Sequence, residues 1–282
     1  MKMKKDKQWF VEQITHQQVL KMTKIRHGIT NDNYKVMTNE GIYVLRIPKK
    51  EQIALDRENE ENILKRIAKE DLDVTTLYFN AKTGIKITQW IPFIPFSLKK
   101  KKHVDLFFLQ LKKLHSLEVK NIAPFAPFLR LKIFQNAHSF HPQFEYENEV
   151  LKHVQEIYQR YPLVLCHNDL LFYNLLVYKN QLYIIDYEYA GMNIALFDIV
   201  SFISENDIED PSFYQEALCR YYGEVTTQLW HDFYWIYLFS DLLWSHWGYA
   251  MFEKLQKSIY LEIARQKEKR YHRFICYISN HL

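Results

Sequence analysis

Cysteine and long apolar runs are both scarce in this chain. Its 282 residues include three cysteines, and their odd number and wide separation argue against a disulfide framework or a zinc site. No apolar run is long enough to span a bilayer, and the start MKMKKDKQWF lacks the apolar core of a secretory signal. These absences predict a cytoplasmic protein with no membrane span.

A strong charge imbalance is also missing. The formal net charge is +4, and basic and acidic residues are mixed along the chain, apart from a lysine run at residues 99–102 that we interpret as solvated. A nucleic-acid partner is therefore not expected. The 48% hydrophobic content is enough for a large core, in one bilobal enzyme or two compact domains.

Three polar residues at short intervals carry the clearest functional signal. Asp169 and Asn174 lie in LCHNDLLFYNLL, and Asp186 follows the hairpin-like run LLVYKNQLYII. Phosphoryl transfer needs one carboxylate near the acceptor hydroxyl, and an amide oxygen and a second carboxylate to hold Mg²⁺ on the nucleotide. One such residue alone is more often a turn residue or a helix cap. The ordered set predicts a catalytic Asp169, with Asn174 and Asp186 as Mg²⁺ ligands, and His167 as a buried organiser of the loop.

This motif resembles H-x-D-x-x-x-x-N followed by I-D-x-E, the signature of the aminoglycoside phosphotransferase and choline kinase branch of the protein-kinase-like superfamily. The resemblance implies an α+β, bilobal protein-kinase-like fold, with a small N-terminal antiparallel-sheet lobe and a larger, mainly helical C-terminal lobe. Residues 1–89 would form the nucleotide-binding lobe and residues 90–282 the catalytic and acceptor-binding lobe, with a hinge at about residues 89–95. It further implies that Glu188 assists as a metal ligand, and that Gln89, Trp90 and Ile91 bond adenine through their main chains.

A second signal lies upstream, in the run IRHGITNDNYKV. Gly28 allows close backbone approach, and Thr30, Asn31 and Asn33 offer short polar groups to phosphate oxygens, so this turn is predicted to cover ATP. Taken alone, a hairpin turn with Asn and Gly is commonplace.

Arg46 strengthens that signal, because it is an isolated cation in the apolar strand-like run GIYVLRI. A half-buried charge needs a partner, and Glu60, on the next helical stretch, is the best available. The pair resembles the strand cation and helix glutamate of kinase-like folds, with the Arg that is usual in choline kinases. The alternative is that Arg46 is an exposed edge-strand residue.

Aromatic residues indicate the acceptor. Trp244 and Trp247 lie three apart and share a face if helical, and paired indoles can hold a ligand cation. The run IIDYEYAGMNIALFDIVSFISEN resembles the choline kinase motif after the magnesium aspartate. That resemblance implies that Tyr189 and Glu205 line a choline pocket together with the two tryptophans.

The resulting hypothesis is a small-molecule kinase that uses MgATP to phosphorylate the hydroxyl of choline, giving phosphocholine. Kinases for ethanolamine or thiamine would keep the same machinery, and an aminoglycoside kinase would use the carboxylates of SENDIEDP. A non-catalytic kinase-like binding protein is the alternative of another class. It is motivated by His27 and Asn168, which stand where relatives often carry Gly.

Overall fold

The computed structural model describes residues 2–25, 28–49 and 53–281, so His27 lies outside the described residues. Within this range the chain forms two compact units. The described residues of the first unit lie within Met1–Gln110 and Tyr173–Glu188, and those of the second within Leu111–Phe172 and Tyr189–Leu282. The predicted nucleotide-binding lobe at residues 1–89 and the hinge that follows it stay predictions.

The helices are, in chain order, α1 (Lys2–Thr15), α2 (Arg57–Ile67), α3 (Lys101–His115), α4 (Pro127–Gln135), α5 (Glu147–Arg160), α6 (Ala195–Ser204), α7 (Pro211–Tyr222), α8 (Thr227–Leu255) and α9 (Ser258–His281). The strands are β1 (Val19–Ile25), β2 (Asn31–Thr38), β3 (Ile42–Pro48), β4 (Thr76–Phe79), β5 (Lys86–Gln89), β6 (Ile94–Pro95), β7 (Leu163–Cys166), β8 (Leu175–Tyr178), β9 (Gln181–Ile184) and β10 (Gly191–Ile194).

The first unit is built on an antiparallel sheet. Its strands run in the order β1-β2-β3-β5-β4 among the described residues. Val36, Leu45 and Ile87 from three of these strands pack with Val11 of α1 in one apolar core. Helix α2 begins after Asp56, whose side chain accepts the N–H of Asn59 at 2.9 Å, as a good N-cap does.

A smaller sheet of the first unit carries the segment between Asn174 and Asp186. Strands β8 and β9 pair antiparallel around a two-residue turn, Lys179 and Asn180, with φ values of 48° and 63°. Two left-handed residues are what a two-residue hairpin turn with the correct twist requires. The predicted hairpin is therefore confirmed.

The second unit is mainly helical, with one short strand pair. Strands β7 and β10 pair antiparallel, and Cys166 lies opposite Gly191. A Cβ on Gly191 would lie 2.9 Å from the Ala123 carbonyl oxygen, so only glycine fits this close backbone approach. The pairing joins the segment that precedes Asp169 to the segment that follows Tyr189.

Helix α8 is the centre of this unit, where it packs against α4, α5, α6 and α9. Most of its side chains from Phe233 to Met251 are buried, which accounts for much of the aromatic content of the chain. In the described part of the chain, no helix is both long and apolar enough to cross a membrane. The predicted α+β class, a sheet-bearing N-terminal part and a mainly helical C-terminal part, is confirmed.

A histidine pair of the second unit, with one member buried, predicts a pH-dependent stability. His246 of α8 is buried, and its Nδ1 lies 2.9 Å from Nε2 of His138, with the two rings stacked. Burial, and then the charge of His138, lower the pKa of His246 to about 4. Burial also lowers the pKa of His138, against the opposing influence of Glu253.

We expect this pair to destabilise the protein in acid. Because the folded pKa of His246 is lowered, the unfolded state takes up a proton first as the pH falls below the ordinary histidine pKa of 6.5. Between pH 7 and pH 4.5, wild type should lose on the order of 2 kcal/mol more unfolding free energy than His246→Gln. Urea unfolding at both pH values measures this difference, since titrating carboxylates are common to both proteins. Equal losses would contradict it.

Candidate active site

Arg46 lies in the interior of the first unit. Strand β3 lies between β2 and β5, and Arg46 is 6% exposed, so the alternative of an exposed edge-strand residue is wrong. Its Nη2 is 2.5 Å from Oε1 of Glu60, which is the predicted partner, and its Nη1 is 2.8 Å from Oδ1 of Asp186. Burial alone would lower the pKa of Arg46, but these carboxylates outweigh it and raise that pKa.

A second arginine, which sequence reasoning missed, extends this contact. Nη1 of Arg57 lies 2.6 Å from Oε2 of Glu60 and 3.3 Å from Oε2 of Glu188. Asn31 donates from Nδ2 to the same Glu188 oxygen at 3.1 Å. The contacts thus form an open series that begins at Asn31 of the predicted ATP loop and ends at Asp186. We call its six members the charge network: Asn31, Glu188, Arg57, Glu60, Arg46 and Asp186.

Two carboxylates of the charge network, those of Asp186 and Glu188, differ in their exposure to solvent. Asp186 has a left-handed backbone, with φ at 71°, and its side chain is 27% exposed. Glu188 is buried, and burial, followed by the charge of Asp186, raises its pKa to about 7 despite Arg46 and Arg57. Asn174 precedes β8, and its carbonyl accepts the N–H of Ile185 at 2.9 Å, which brings it to the segment that carries Asp186.

The predicted ATP loop joins β1 to β2. Gly28 has φ at 105°, a conformation that favours glycine, and Asn33 lies opposite Arg46 in the β2–β3 register. The carbonyl of Thr30 accepts the N–H of Lys49, and Lys49 Nζ donates to the Ile29 carbonyl at 2.8 Å. These bonds hold the loop against the end of β3.

The predicted adenine-bonding segment is partly used by the sheet itself. The N–H of Gln89 donates to the Thr75 carbonyl at 2.8 Å, and the N–H of Trp90 donates to the Ile42 carbonyl at 2.9 Å. These two N–H groups are therefore already engaged within the sheet, and adenine bonding by Gln89, Trp90 and Ile91 stays a prediction.

The loop of Asp169 belongs to the second unit. His167 is fully buried and its Nδ1 accepts the Asp169 N–H at 3.3 Å, which agrees with its predicted role as a loop organiser. Asp169 itself is half-buried. The main chain of Asp169 is therefore held by His167, while the residue keeps some access to solvent.

Asp198 of α6 anchors this loop, and sequence reasoning did not identify it. Its carboxylate accepts the N–H groups of His167 and Asn168 at 2.8 and 2.6 Å, and it lies 2.9 Å from Nε2 of His115. The available signal was an ionisable residue in the apolar run IALFDIV. Asp198, His115 and Cys166 have ligand atoms within 4.8 Å of one another, but the three contacts that Asp198 already makes assign it to anchoring rather than to a metal.

The three predicted aromatic residues of the acceptor site come together in the second unit. The ring centroids of Trp244 and Trp247 are 5.9 Å apart, and those of Tyr189 and Trp244 are 5.2 Å apart. Both pairs pack edge to face. Trp247 Nε1 donates to the Tyr189 hydroxyl at 3.0 Å. Arg130 lies 5.7 Å from the Tyr189 ring centre, so this cluster already receives one cation. We call the three rings the aromatic cluster.

Within the described part of the chain, Glu205 forms no hydrogen bond or ion pair with the aromatic cluster. Nζ of Lys267 lies 2.6 Å from its Oε1. The other carboxylates of SENDIEDP are also engaged: Asp207 with Arg270 at 2.7 Å, Glu209 with Arg273, and Asp210 as the N-cap of α7. These contacts offset the negative charge that an aminoglycoside pocket would need.

Comparison with known proteins agrees with this arrangement. The model of the phosphotransferase enzyme family matches residues 21–235. Protein LicA of Haemophilus influenzae is 28% identical over 238 residues, covering 78% of this chain and 70% of that protein. The crystal structure of choline kinase LicA from Streptococcus pneumoniae superposes with a TM-score of 0.80 at 21% identity, covering 98% of this chain and all of that one. A LicA structure in complex with AMP gives 0.75 at 21% identity, covering 96% and 98%.

The sheet-bearing unit, the helical unit and these superpositions define a kinase-like fold. The chain belongs to the phosphotransferase enzyme family. The predicted resemblance to the choline kinase branch is confirmed.

Proposed function

We propose that this protein is an ATP-dependent small-molecule kinase that phosphorylates the hydroxyl of choline, giving phosphocholine and ADP. The observation that carries the acceptor is the aromatic cluster, Tyr189, Trp244 and Trp247, in the same unit as the Asp169 loop. A quaternary ammonium cannot donate hydrogen bonds and is held best by aromatic faces and diffuse charge. The similarity to LicA proteins supports the same acceptor.

The proposed binding of ATP and Mg²⁺ rests on the charge network. Three carboxylates, of Glu60, Asp186 and Glu188, meet two guanidinium groups, which leaves an excess of negative charge. Among the described residues, Oδ2 of Asp186 has no hydrogen-bond partner. Burial, followed by the charge of Asp186, raises the pKa of Glu188. Hard oxygen donors in excess of cations fit Mg²⁺. Asp186 and Asn174 would hold it, with Glu188 assisting.

An Mg²⁺ held by these residues would supply positive charge that offsets the charge of the nucleotide phosphates. Arg46, held by Glu60, would contact the donor phosphates, and Gly28, Thr30, Asn31 and Asn33 would cover them. Asp169 would accept the proton of the choline hydroxyl while the choline oxygen bonds to the γ-phosphorus and the bond to the ADP oxygen breaks. Glu205 would add a negative charge near the trimethylammonium group, a role that competes with its contact to Lys267.

The test is an ADP-release assay with MgATP and, side by side, choline, ethanolamine, thiamine and kanamycin. We expect choline to give about a 5- to 30-fold higher kcat/KM than ethanolamine, because an ammonium without methyl groups should gain about 1–2 kcal/mol less from the aromatic faces. Preference for ethanolamine or thiamine would overturn the acceptor but keep the kinase. Turnover of kanamycin alone would return the aminoglycoside alternative. No turnover of any acceptor would favour a non-catalytic binding protein.

A further inference from the structure

Asn168 has a backbone that most residues avoid. It immediately precedes Asp169, it is fully buried, and its φ is 65°, in the left-handed region. Glycine would adopt this φ without strain, and Asn does so more easily than most other residues. The backbone therefore explains why few residues fit here, but it does not explain why Asn is present rather than Gly.

The side chain of Asn168 supplies that reason through its contacts. Its Nδ2 donates to the carbonyl of Tyr189 at 3.0 Å and lies 3.4 Å from the carbonyl of Cys166. Its Oδ1 accepts from Nδ2 of Asn193 at 2.7 Å, and Asn193 in turn accepts the hydroxyl of Tyr158 at 2.6 Å. The amide thus uses donors and acceptor in a buried network, where each bond has high geometric specificity.

The network connects two parts of the proposed acceptor site. On one side, Asn168 directly precedes Asp169 in the chain, and Asp198 accepts the N–H groups of His167 and Asn168. On the other side, the Asn168 amide donates to the carbonyl of Tyr189. The hydroxyl of Tyr189 accepts from Trp247, and the ring of Tyr189 contacts Trp244. Three small alternatives would lose part of this network, because Gly and Ser lack the amide group and Asp lacks the donor.

We propose that Asn168 is a positioning residue that fixes the aromatic cluster relative to the loop of Asp169, and so sets where the cationic head of the acceptor lies when its hydroxyl meets the base. This inference rests on the proposed function and adds to it. Its consequence is selective: loss of the Asn168 amide should impair acceptor binding and turnover, and it should leave the donor side unchanged.

The test variant is Asn168→Gly, because glycine keeps the left-handed backbone and removes only the amide. We expect the KM for choline to rise about tenfold and kcat to fall about tenfold, while the KM for MgATP stays within about twofold. The matched control is Asn121→Gly, the same substitution at an exposed position whose φ is 59°. It should leave all three parameters unchanged.

A readout without substrate separates this inference from the proposed function. In ¹⁵N spectra of the full-length protein, the Nε1–H signal of Trp247, identified with Trp247→Phe, should shift in Asn168→Gly and stay in place in Asn121→Gly. If wild type turns over no choline, the proposed function fails, and the indole shift still tests the link from Asn168 to the aromatic cluster. An unmoved indole signal overturns the inference, as do equal losses for choline and MgATP.

A milder variant covers the case in which Asn168→Gly does not fold. Tyr158→Phe removes only the hydroxyl that bonds Asn193. It should raise the KM for choline about threefold, in the same direction, with an unchanged KM for MgATP. An unchanged KM for choline in this variant, together with an unmoved Trp247 signal, also overturns the proposal.

Discussion

Asp169→Asn should reduce choline phosphorylation about 10²–10⁴-fold, the usual contribution of a positioned general base. Asn has nearly the same size but cannot accept the hydroxyl proton at neutral pH. The loss should appear in kcat, with little change in the KM for choline or MgATP. Single-turnover and steady-state ADP release measure both, with wild type as reference.

The fold should survive this substitution. Asp169 is half-buried, and the hydrogen bond it donates to His167 comes from its main chain. Far-UV circular dichroism and the thermal midpoint should therefore match wild type. A kcat near the wild-type value in the folded variant would remove Asp169 from the mechanism.

Arg46→Met should destabilise the protein by about 3–5 kcal/mol, the usual cost of breaking a buried ion pair. The substitution leaves Glu60, whose side chain is fully buried, with Arg57 as its remaining cationic contact, and removes the cation from Asp186. Phosphorylation should be lost as well, because Arg46 would also contact the donor phosphates. Urea unfolding at neutral pH measures the first effect and ADP release the second.

The charge-matched control is the double variant Arg46→Met with Glu60→Gln. It should recover part of the unfolding free energy, since the buried carboxylate is gone, but no activity. Arg46→Lys should be intermediate, because a lysine cannot donate from two nitrogens to Glu60 and Asp186. If the double variant loses as much unfolding free energy as Arg46→Met and Glu60→Gln lose together when measured singly, the ion pair does not account for the effect.

Local sequence patterns were sufficient for part of this structure. The turn residues Lys179 and Asn180 predicted the hairpin before Asp186. The helical periodicity of α2 indicated that Glu60 is the partner of Arg46. The spacing of Trp244 and Trp247 on one helix correctly predicted a shared face. In each case the signal lies within a few residues, where helix and strand periodicity decide the direction of a side chain.

Long-range pairs were not accessible in this way. Arg57 resembles any exposed helical cation until Glu188, more than a hundred residues later, folds against it. Lys267 and Glu205 are separated by 62 positions, so nothing local indicates that Glu205 already has a partner. Asp198 did leave a trace, because a carboxylate in an apolar helix must have partners, but the sequence does not say which. The catalytic and binding roles of all these residues stay predictions.

The aromatic cluster takes two of its three rings from the middle of α8, a buried helix of 29 residues, rather than from a loop. Loops tolerate substitution because few neighbours depend on them, whereas each buried side chain of α8 is packed against several others. Under the proposed function, a change of acceptor preference would therefore require substitutions in this largely buried helix. Divergence toward new substrates is then limited by the stability reserve of the ancestor, and stabilising substitutions elsewhere in the helical unit would have to come first.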